Sequence, residues 1–282
     1  MCDLSVSIVT HNSGNELHCI LDSLKNSHDI DFSVTVIDNN STDNSVSAVR
    51  SSGLNCELIC LKKNTGYGTA NNIAIQKSDA RYHLIVNPDI KFGPQLLKAC
   101  AEFMDANPDV AIVTPKLLNP DGSEQYTPKK HPRIPYLAAG FIENHTGKIM
   151  RLRSEYTLRG QTANDPVEID FCAGCFMFCR TFMLKACNGF DERFFLYFED
   201  ADLTLRMQEQ GKTIFDPALV VTHKWKRANQ KVTGLMHELA SMMRFLRKWR
   251  RISPAGITCT RPGRRSKEET KQNDIKENRT DC

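Results

Sequence analysis

Asn87-Pro88-Asp89 stands directly after an apolar run, so one carboxylate sits on a proline-stiffened turn. A hard divalent cation bound by one or two carboxylates and completed by phosphate oxygens suits that arrangement. Further along, Phe198-Glu199-Asp200-Ala201-Asp202 gathers three carboxylates where a helix begins. Capping accounts for one or two of them, because a helix N-terminus stabilises anions. The run Phe194-Phe195-Leu196-Tyr197-Phe198 before it is strongly apolar, and such walls would shelter a catalytic base. Val220-Val221-Thr222-His223 ends a strand on an imidazole. A single histidine is usually structural, but at a strand end near carboxylates it becomes a candidate ligand.

Thr10-His11-Asn12, Asp38-Asn39-Asn40-Ser41 and Asn87-Pro88-Asp89 each close a β-rich run. Singly, each is ordinary turn chemistry, since Asn, Asp and Ser favour turns and caps. Three at one edge of a parallel sheet read as a site, because ligands bind beyond the carboxyl ends of such strands. Between them lies Asn64-Thr65-Gly66-Tyr67-Gly68-Thr69-Ala70-Asn71-Asn72. Gly66 and Gly68 would let the backbone approach a ligand, with a helix starting straight after. The third glycine of a dinucleotide fingerprint is missing, and so is the Gly-Lys-Ser/Thr ending of a P-loop. That argues against an ATPase or kinase.

The elements that must position these residues alternate regularly. Strands are expected over Ser5–Thr10, Phe32–Ile37, Glu57–Leu61, Tyr82–Val86 and Val110–Thr114. Helices are expected over Leu17–Leu24, Ser41–Val49 with Ser41 as N-cap, Gly68–Ile75 and Gln95–Met104. Strands and helices at this pitch argue βαβ units around a mostly parallel sheet, so the fold class is α/β. The regularity fails after Thr114. Asn119–Pro135 reads as a polar loop and Val167–Phe178 as a buried strand broken at Ala173-Gly174. A helix over Asp200–Gln210 and short strands at Thr213–Phe215 and Leu219–Thr222 follow. An amphipathic basic helix spans 235–252, and the polar stretch 253–282 reads as a disordered tail.

At 282 residues the chain can bury a self-sufficient core. No apolar run approaches the ~20 residues of a membrane-spanning helix, and the first residues lack a signal peptide. The net charge is +4, yet from Arg244 onward there are twelve Lys/Arg against five Asp/Glu. The globular part is therefore slightly acidic, which does not suit nucleic-acid binding. Most of the eleven cysteines lie in apolar segments, Cys60 and Cys100 among them, and read as small hydrophobes in a reducing cytosol. Cys172, Cys175 and Cys179 are spaced like zinc ligands but lack a fourth partner, and a buried strand is the simpler account.

Together, Val9-Thr10-His11-Asn12, Asp38-Asn39-Asn40-Ser41, Asn64-x-Gly66-x-Gly68, Asn87-Pro88-Asp89, Gly189-Phe190-Asp191 and Glu199-Asp200-x-Asp202-Leu203 resemble the GT-A fold, family 2 inverting glycosyltransferases. The resemblance is to the rhamnosyltransferase-like branch of bacterial O-antigen and cell-surface polysaccharide synthesis. It covers about Leu4–Lys224 and implies a glycosyltransferase domain over 1–234, with 1–115 as the nucleotide-sugar half and 116–234 as the acceptor half. It implies that Thr10, Asn12, Asp38, Asn40, Gly66, Gly68, Asn71, Asn87 and Asp89 bind the nucleotide-sugar, with dTDP-rhamnose as donor. Asn87-Pro88-Asp89 would stand for the family's metal motif, Asp89 binding Mg²⁺ or Mn²⁺ with one carboxylate fewer than usual. Glu199 and Asp200 would be the catalytic pair, Asp200 the general base, and His223 a further metal ligand. A lipid-linked saccharide acceptor follows, and with it a peripheral site on an anionic membrane surface, the cytoplasmic face of the inner membrane. Two other readings stand beside this one. One is a nucleotidyltransferase, which would want a basic residue in His11-Asn12-Ser13-Gly14; the other is a catalytically silent carbohydrate-binding protein.

Overall fold

The computed structural model describes residues 2–127, 129–148, 150–159, 164–224, 232–249 and 279–280. Alternating apolar strands and amphipathic helices build β1 (Leu4–Thr10), α1 (Leu17–Lys25), β2 (Phe32–Asp38), α2 (Ser45–Ser51), β3 (Glu57–Leu61), α3 (Tyr67–Lys77) and β4 (Tyr82–Val86). Next come β5 (Ile90–Phe92), α4 (Leu96–Ala106), β6 (Val110–Leu118), α5 (Ile134–Thr146), α6 (Arg151–Thr157), β7 (Val167–Glu168) and β8 (Phe176–Arg180). The chain continues through α7 (Thr181–Ala186), α8 (Glu199–Gln208), β9 (Lys212–His223) and α9 (Val232–Lys248) to β10 (Arg279–Thr280).

One sheet runs β10-β3-β2-β1-β4-β8-β6-β9-β5, with β7 on β9. Strands β3, β2, β1 and β4 are mutually parallel, as the βαβ pattern requires. The pattern gives no sign that β8 inserts antiparallel between β4 and β6. All seven residues of β1 and all five of β4 are buried, the signature of strands covered on both faces. The main core lies between β1, β4 and β8 and helices α1 and α4, around Leu17, Ile20, Leu97, Phe176 and Phe178.

Several boundaries differ from expectation for local reasons. Helix α2 starts at Ser45, not Ser41, because side chains hold residues 41–42 in a loop: Ser41 N–H donates to Asp38 and Thr42 N–H to Asn12. The two short strands expected near 213 and 219 are one, β9, which bulges opposite Pro115 and Lys116. Only the ends of the expected strand 167–178 pair, as β7 and β8, leaving 169–175 irregular. Helices α5 and α6 lie where no element was expected apart from the polar loop's last residues. Cys172, Cys175 and Cys179 are buried, and burial pushes the Cys172 thiol up to about 12, so they act as apolar side chains. Cys60 departs from the reduced reading, being disulfide-bonded. Of the tail read as disordered, only Arg279–Thr280 is described, paired antiparallel with β3; the remainder lies outside the described residues.

Helix α9 docks on the body along one face. Phe245 is buried among Phe171, Phe194, Ala201 and Leu205, with Leu246 and Trp249 packed beside it. Ser241 Oγ donates to Leu196 O, and Arg244 donates to Arg193 O. Lys248 pairs with Asp191 and with fully buried Asp202, which also takes the Trp249 indole N–H at 2.8 Å and Arg206 at 2.9 Å. Arg244 and Lys248, two cations of the helix expected to be amphipathic and basic, are therefore committed to the body. On the opposite side Leu235, Met236, Leu239 and Met243 are exposed.

Candidate active site

The carboxyl ends of β1, β2 and β4 form one edge. In the β1–β2 register Thr10 lies opposite Asp38, both buried. Thr10 Oγ1 and Asp38 Oδ1 have no hydrogen-bond partner, although Asp38 Oδ2 accepts from Ser41 N–H. Buried polar atoms are nearly always paired, so two orphans facing each other across adjacent strand ends mark a place for a polar ligand. Other residues expected beside them are spent on the protein. Asn12 Oδ1 accepts from Thr42 N–H and Oγ1, locking the loop after β1 to that after β2. Asn40 is an exposed turn residue at φ 63°.

The glycine loop and Asn71 correct the expectation. A Cβ on Gly66, which has φ 88°, would lie 2.4 Å from Phe195 O, and one on Gly68 2.8 Å from Phe190 Cβ. What both glycines admit is close approach by the chain's own segment 190–195. Asn71 is fully buried under the sheet, accepting from Ser7 Oγ at 2.7 Å and donating to Tyr67 O at 3.1 Å. It holds α3 to β1 and has no free group to offer a nucleotide. The residue that organises this loop is Asn39. Its amide donates to Asn64 Oδ1 and Gly66 O, and its carbonyl accepts from Thr65 N–H.

Tyr197 and Phe198 both take left-handed backbone conformations, φ 68° and 65°. Side chains with a Cβ adopt these at a cost of about 1–2 kcal/mol each. Tyr67 N–H donating to Phe195 O and Ser241 Oγ donating to Leu196 O hold the turn in place. It launches α8 so that Asp200 meets Gly174: Gly174 N–H donates to Asp200 Oδ2 at 2.9 Å, and Ala201 N–H to Oδ1 at 2.8 Å. A Cβ on Gly174 would press on Asp200 Cβ at 3.1 Å, and Tyr67 OH donates to Gly174 O at 2.8 Å. Burial, then the adjacent Asp200 charge, pushes the Glu199 carboxyl well above its usual range. Burial raises Asp200 too, opposed by the N–H groups of Gly174 and Ala201, which favour its charge. Of the two carboxyls, Asp200 is the one that two backbone N–H groups hold in a fixed orientation.

Asp89 lies 3.4 Å from His223 Nε2, an approach set by β5–β9 pairing, in which Ile90 opposes His223. Gln125 fixes the ring. Its amide donates to Asn119 Oδ1 and His223 O, each at 2.7 Å, so its Oε1, at 2.9 Å, accepts from His223 Nδ1. With Nδ1 held by Gln125, the other ring nitrogen, Nε2, faces the Asp89 carboxylate. A carboxylate and an imidazole nitrogen so placed are a pair that could hold one cation between them. Among the described residues no third Asp, Glu, His or Cys joins them, so phosphate oxygens and water would complete a divalent ion's shell. Asn87, which stands where the resemblance expects an acid, donates its backbone N–H to Cys175 O at 3.0 Å. The Asn87–Asp89 turn is thereby tied to Cys175 and Asp200 to Gly174, one residue apart.

The structure brings together Thr10, Asp38, Asn87, Asp89, Glu199, Asp200 and His223 along this edge. Sequence reasoning gave no role of their own to Asn39, Tyr67, Gly174 and Gln125. Asn39 and Tyr67 lay inside quoted motifs and Gly174 at the break in an apolar run; Gln125 left no signal.

A parallel half-sheet with acidic turns at its carboxyl edge and a mixed second half is the architecture of the nucleotide-sugar-dependent GT-A transferases. The chain belongs to glycosyl transferase family 2, whose model matches residues 5–187. It is 29% identical over 234 residues to the N-acetylglucosaminyl-diphospho-decaprenol L-rhamnosyltransferase of Mycobacterium tuberculosis, covering 78% of this chain and 75% of the relative. It is 28% identical over 200 residues to rhamnosyltransferase WbbL of Escherichia coli, covering 67% and 72%. Among solved structures it superposes on mannosyltransferase PcManGT of Pyrobaculum calidifontis, in complex with GDP-Man and Mn²⁺, with TM-score 0.58 at 16% identity. It also superposes on Staphylococcus aureus TarS in complex with UDP-GlcNAc, with TM-score 0.56 at 20% identity. These alignments cover 86% of this chain and 66% of each solved chain; at such identity they establish the fold.

Proposed function

We propose that the protein is a divalent-metal-dependent inverting glycosyltransferase that moves L-rhamnose from dTDP-rhamnose to a lipid-linked saccharide during bacterial cell-surface polysaccharide synthesis. One observation carries the mechanism. Adjacent residues Gly174 and Cys175 tether Asp200 and the Asn87–Asp89 turn, fixing a base beside a cation site.

Thr10 and Asp38 supply the unpaired groups for the donor's nucleoside. Asp89 and His223 would hold Mg²⁺ or Mn²⁺, which when bound neutralises charge on the leaving nucleoside diphosphate. Asp200 accepts the proton of the acceptor hydroxyl as its oxygen bonds to the anomeric carbon and the sugar–phosphate bond breaks in line. A positioned base contributes about 10²–10⁴-fold, most when its pKa is raised toward the working pH as burial does here. Rhamnose as the sugar is supported by the two rhamnosyltransferase relatives, and the acceptor class by the diphospho-decaprenol in one name.

Among the described residues no helix is long and apolar enough to cross a membrane. The exposed row Leu235, Met236, Leu239 and Met243 supports a peripheral seat on the cytoplasmic face of the inner membrane, where such acceptors are presented. Co-sedimentation with phosphatidylglycerol vesicles, lost in a Met236→Glu/Leu239→Glu variant, tests this seat.

The decisive experiment is hydrolysis of dTDP-rhamnose titrated with Mn²⁺, in the wild type and in Asp89→Asn. Turnover that rises with Mn²⁺ and loses that response in the variant is expected. A wild type that binds nucleotide-sugar and never turns it over returns the chain to a silent binding protein.

A further inference from the structure

Between the first turn of α5 and the last turns of α9 lies a cavity of ≈ 740 Å³. Its lining divides by chemistry. His131 contributes an imidazole and Arg133 and Arg247 guanidiniums, no carboxylate is among the described lining residues, and Ile134, Met243 and Leu246 supply apolar surface. Among the described residues neither Arg133 nor Arg247 has an ion-pair partner, whereas Lys248 on the same helix pairs with Asp191 and Asp202. Unpaired guanidiniums beside apolar surface suit a bidentate anion carrying a hydrocarbon chain.

Two observations place the cavity on the acceptor side. Phe245 in its wall packs against Ala201, the residue after Asp200, and against Phe171. Its other wall follows Lys129 and Lys130, whose N–H groups donate to the backbone of Tyr156, a ring that feels the Asp200 charge. From Met243 an exposed apolar row leads away along α9 through Leu239 to Leu235 and Met236. The spacing of four residues keeps it on one face. The cavity thus has a cationic mouth and an apolar exit toward the face proposed to meet lipid.

We propose that this groove seats the lipid end of the acceptor: Arg133 and Arg247 hold a polyprenyl diphosphate while Ile134, Met243 and Leu246 receive its first prenyl units. The proposal rests on the lipid-linked acceptor argued above. It adds where that lipid binds and separates its site from the donor diphosphate at Asp89 and His223.

Farnesyl diphosphate is the probe, titrated into the full chain in EDTA so that metal-dependent diphosphate binding at the donor site is absent. Trp249 lines the groove and reports occupancy by its fluorescence. Saturable binding is expected, weakened at least tenfold in Arg133→Glu/Arg247→Glu. Farnesol and inorganic diphosphate, each half of the probe, should bind at least tenfold more weakly than the whole. Single Arg133→Gln and Arg247→Gln variants repeat the measurement should the double variant lose its fold. Equal affinity in folded variants, or displacement of the probe by phosphatidylglycerol vesicles at equal lipid concentration, overturns the proposal. Binding is read without turnover, which keeps the two readings apart. Nucleotide-sugar hydrolysis without farnesyl diphosphate binding sinks the groove alone; arginine-dependent binding without hydrolysis upholds the groove and sinks the transferase.

Discussion

Replacing Asp200 by Asn removes the base and also disturbs its anchor, and the two effects have separate readouts. In the wild type both carboxylate oxygens accept backbone N–H groups, from Gly174 at 2.9 Å and Ala201 at 2.8 Å. An Asn side chain keeps one acceptor and turns an N–H against the other donor, so one charge-assisted hydrogen bond is lost. That costs about 1.5–3 kcal/mol of stability. The loss is partly offset because the buried carboxylate, whose pKa burial raises, is replaced by a neutral group. Loss of general-base catalysis lowers kcat by about 10²–10⁴-fold, some 2.7–5.5 kcal/mol of barrier. Donor affinity should change little, since Thr10, Asp38, Asp89 and His223 are untouched. Single-turnover transfer measures the rate, calorimetry the affinity for dTDP with Mn²⁺, and urea denaturation the stability. A kcat within threefold of wild type refutes the base assignment. A parallel fall in dTDP affinity makes Asp200 a donor ligand.

Gln125→Leu frees the His223 ring and leaves His223 O without a partner. The Mn²⁺ concentration for half-maximal activity should rise about 10–100-fold, with the rate restored at saturation, and an unchanged Mn²⁺ curve removes Gln125 from the site. Lys248→Met breaks one ion pair with Asp191 and one with fully buried Asp202 and should cost about 3 kcal/mol, the low end for such breakage because Arg206 and Trp249 still hold the Asp202 carboxylate. A urea midpoint that does not move would mean α9 is only loosely attached. Burial, with Lys185 nearby, holds the His83 imidazole down at about 3, against 6.5 for the free side chain. The unfolded chain therefore binds the extra proton between these values. His83 contributes stability that is full above pH 6.5 and lost on acidification toward pH 3, at up to about 1.4 kcal/mol per pH unit. Denaturation at pH 7 and pH 5 should show a shallower acid loss in His83→Gln than in wild type.

The amino-acid pattern alone determined the strand–helix alternation through Val86, since burial on both faces leaves continuous apolar runs that pattern reads directly. It also placed Thr10, Asp38, Asp89 and Glu199-Asp200 at element ends, because ligand chemistry at a parallel sheet edge lies where apolar runs stop. Pairing between distant segments was invisible to it. Nothing in residues 176–180 says that they slot between β4 and β6, yet that insertion sets Gly174 and Cys175 against Asp200 and Asn87. Gln125 sits in a polar loop with no periodicity, and only the return of β9 brings His223 onto it. The loop around Gly66 misled for the same reason: local sequence shows that a backbone can be approached closely, not by what. Tertiary packing answered with Phe195 and Phe190. Helix α9 was legible as amphipathic, but periodicity fixes only that one face is apolar. Which residues face the body depended on a buried carboxylate, Asp202, whose charge had to be met by Lys248 and Trp249, far along the chain from it.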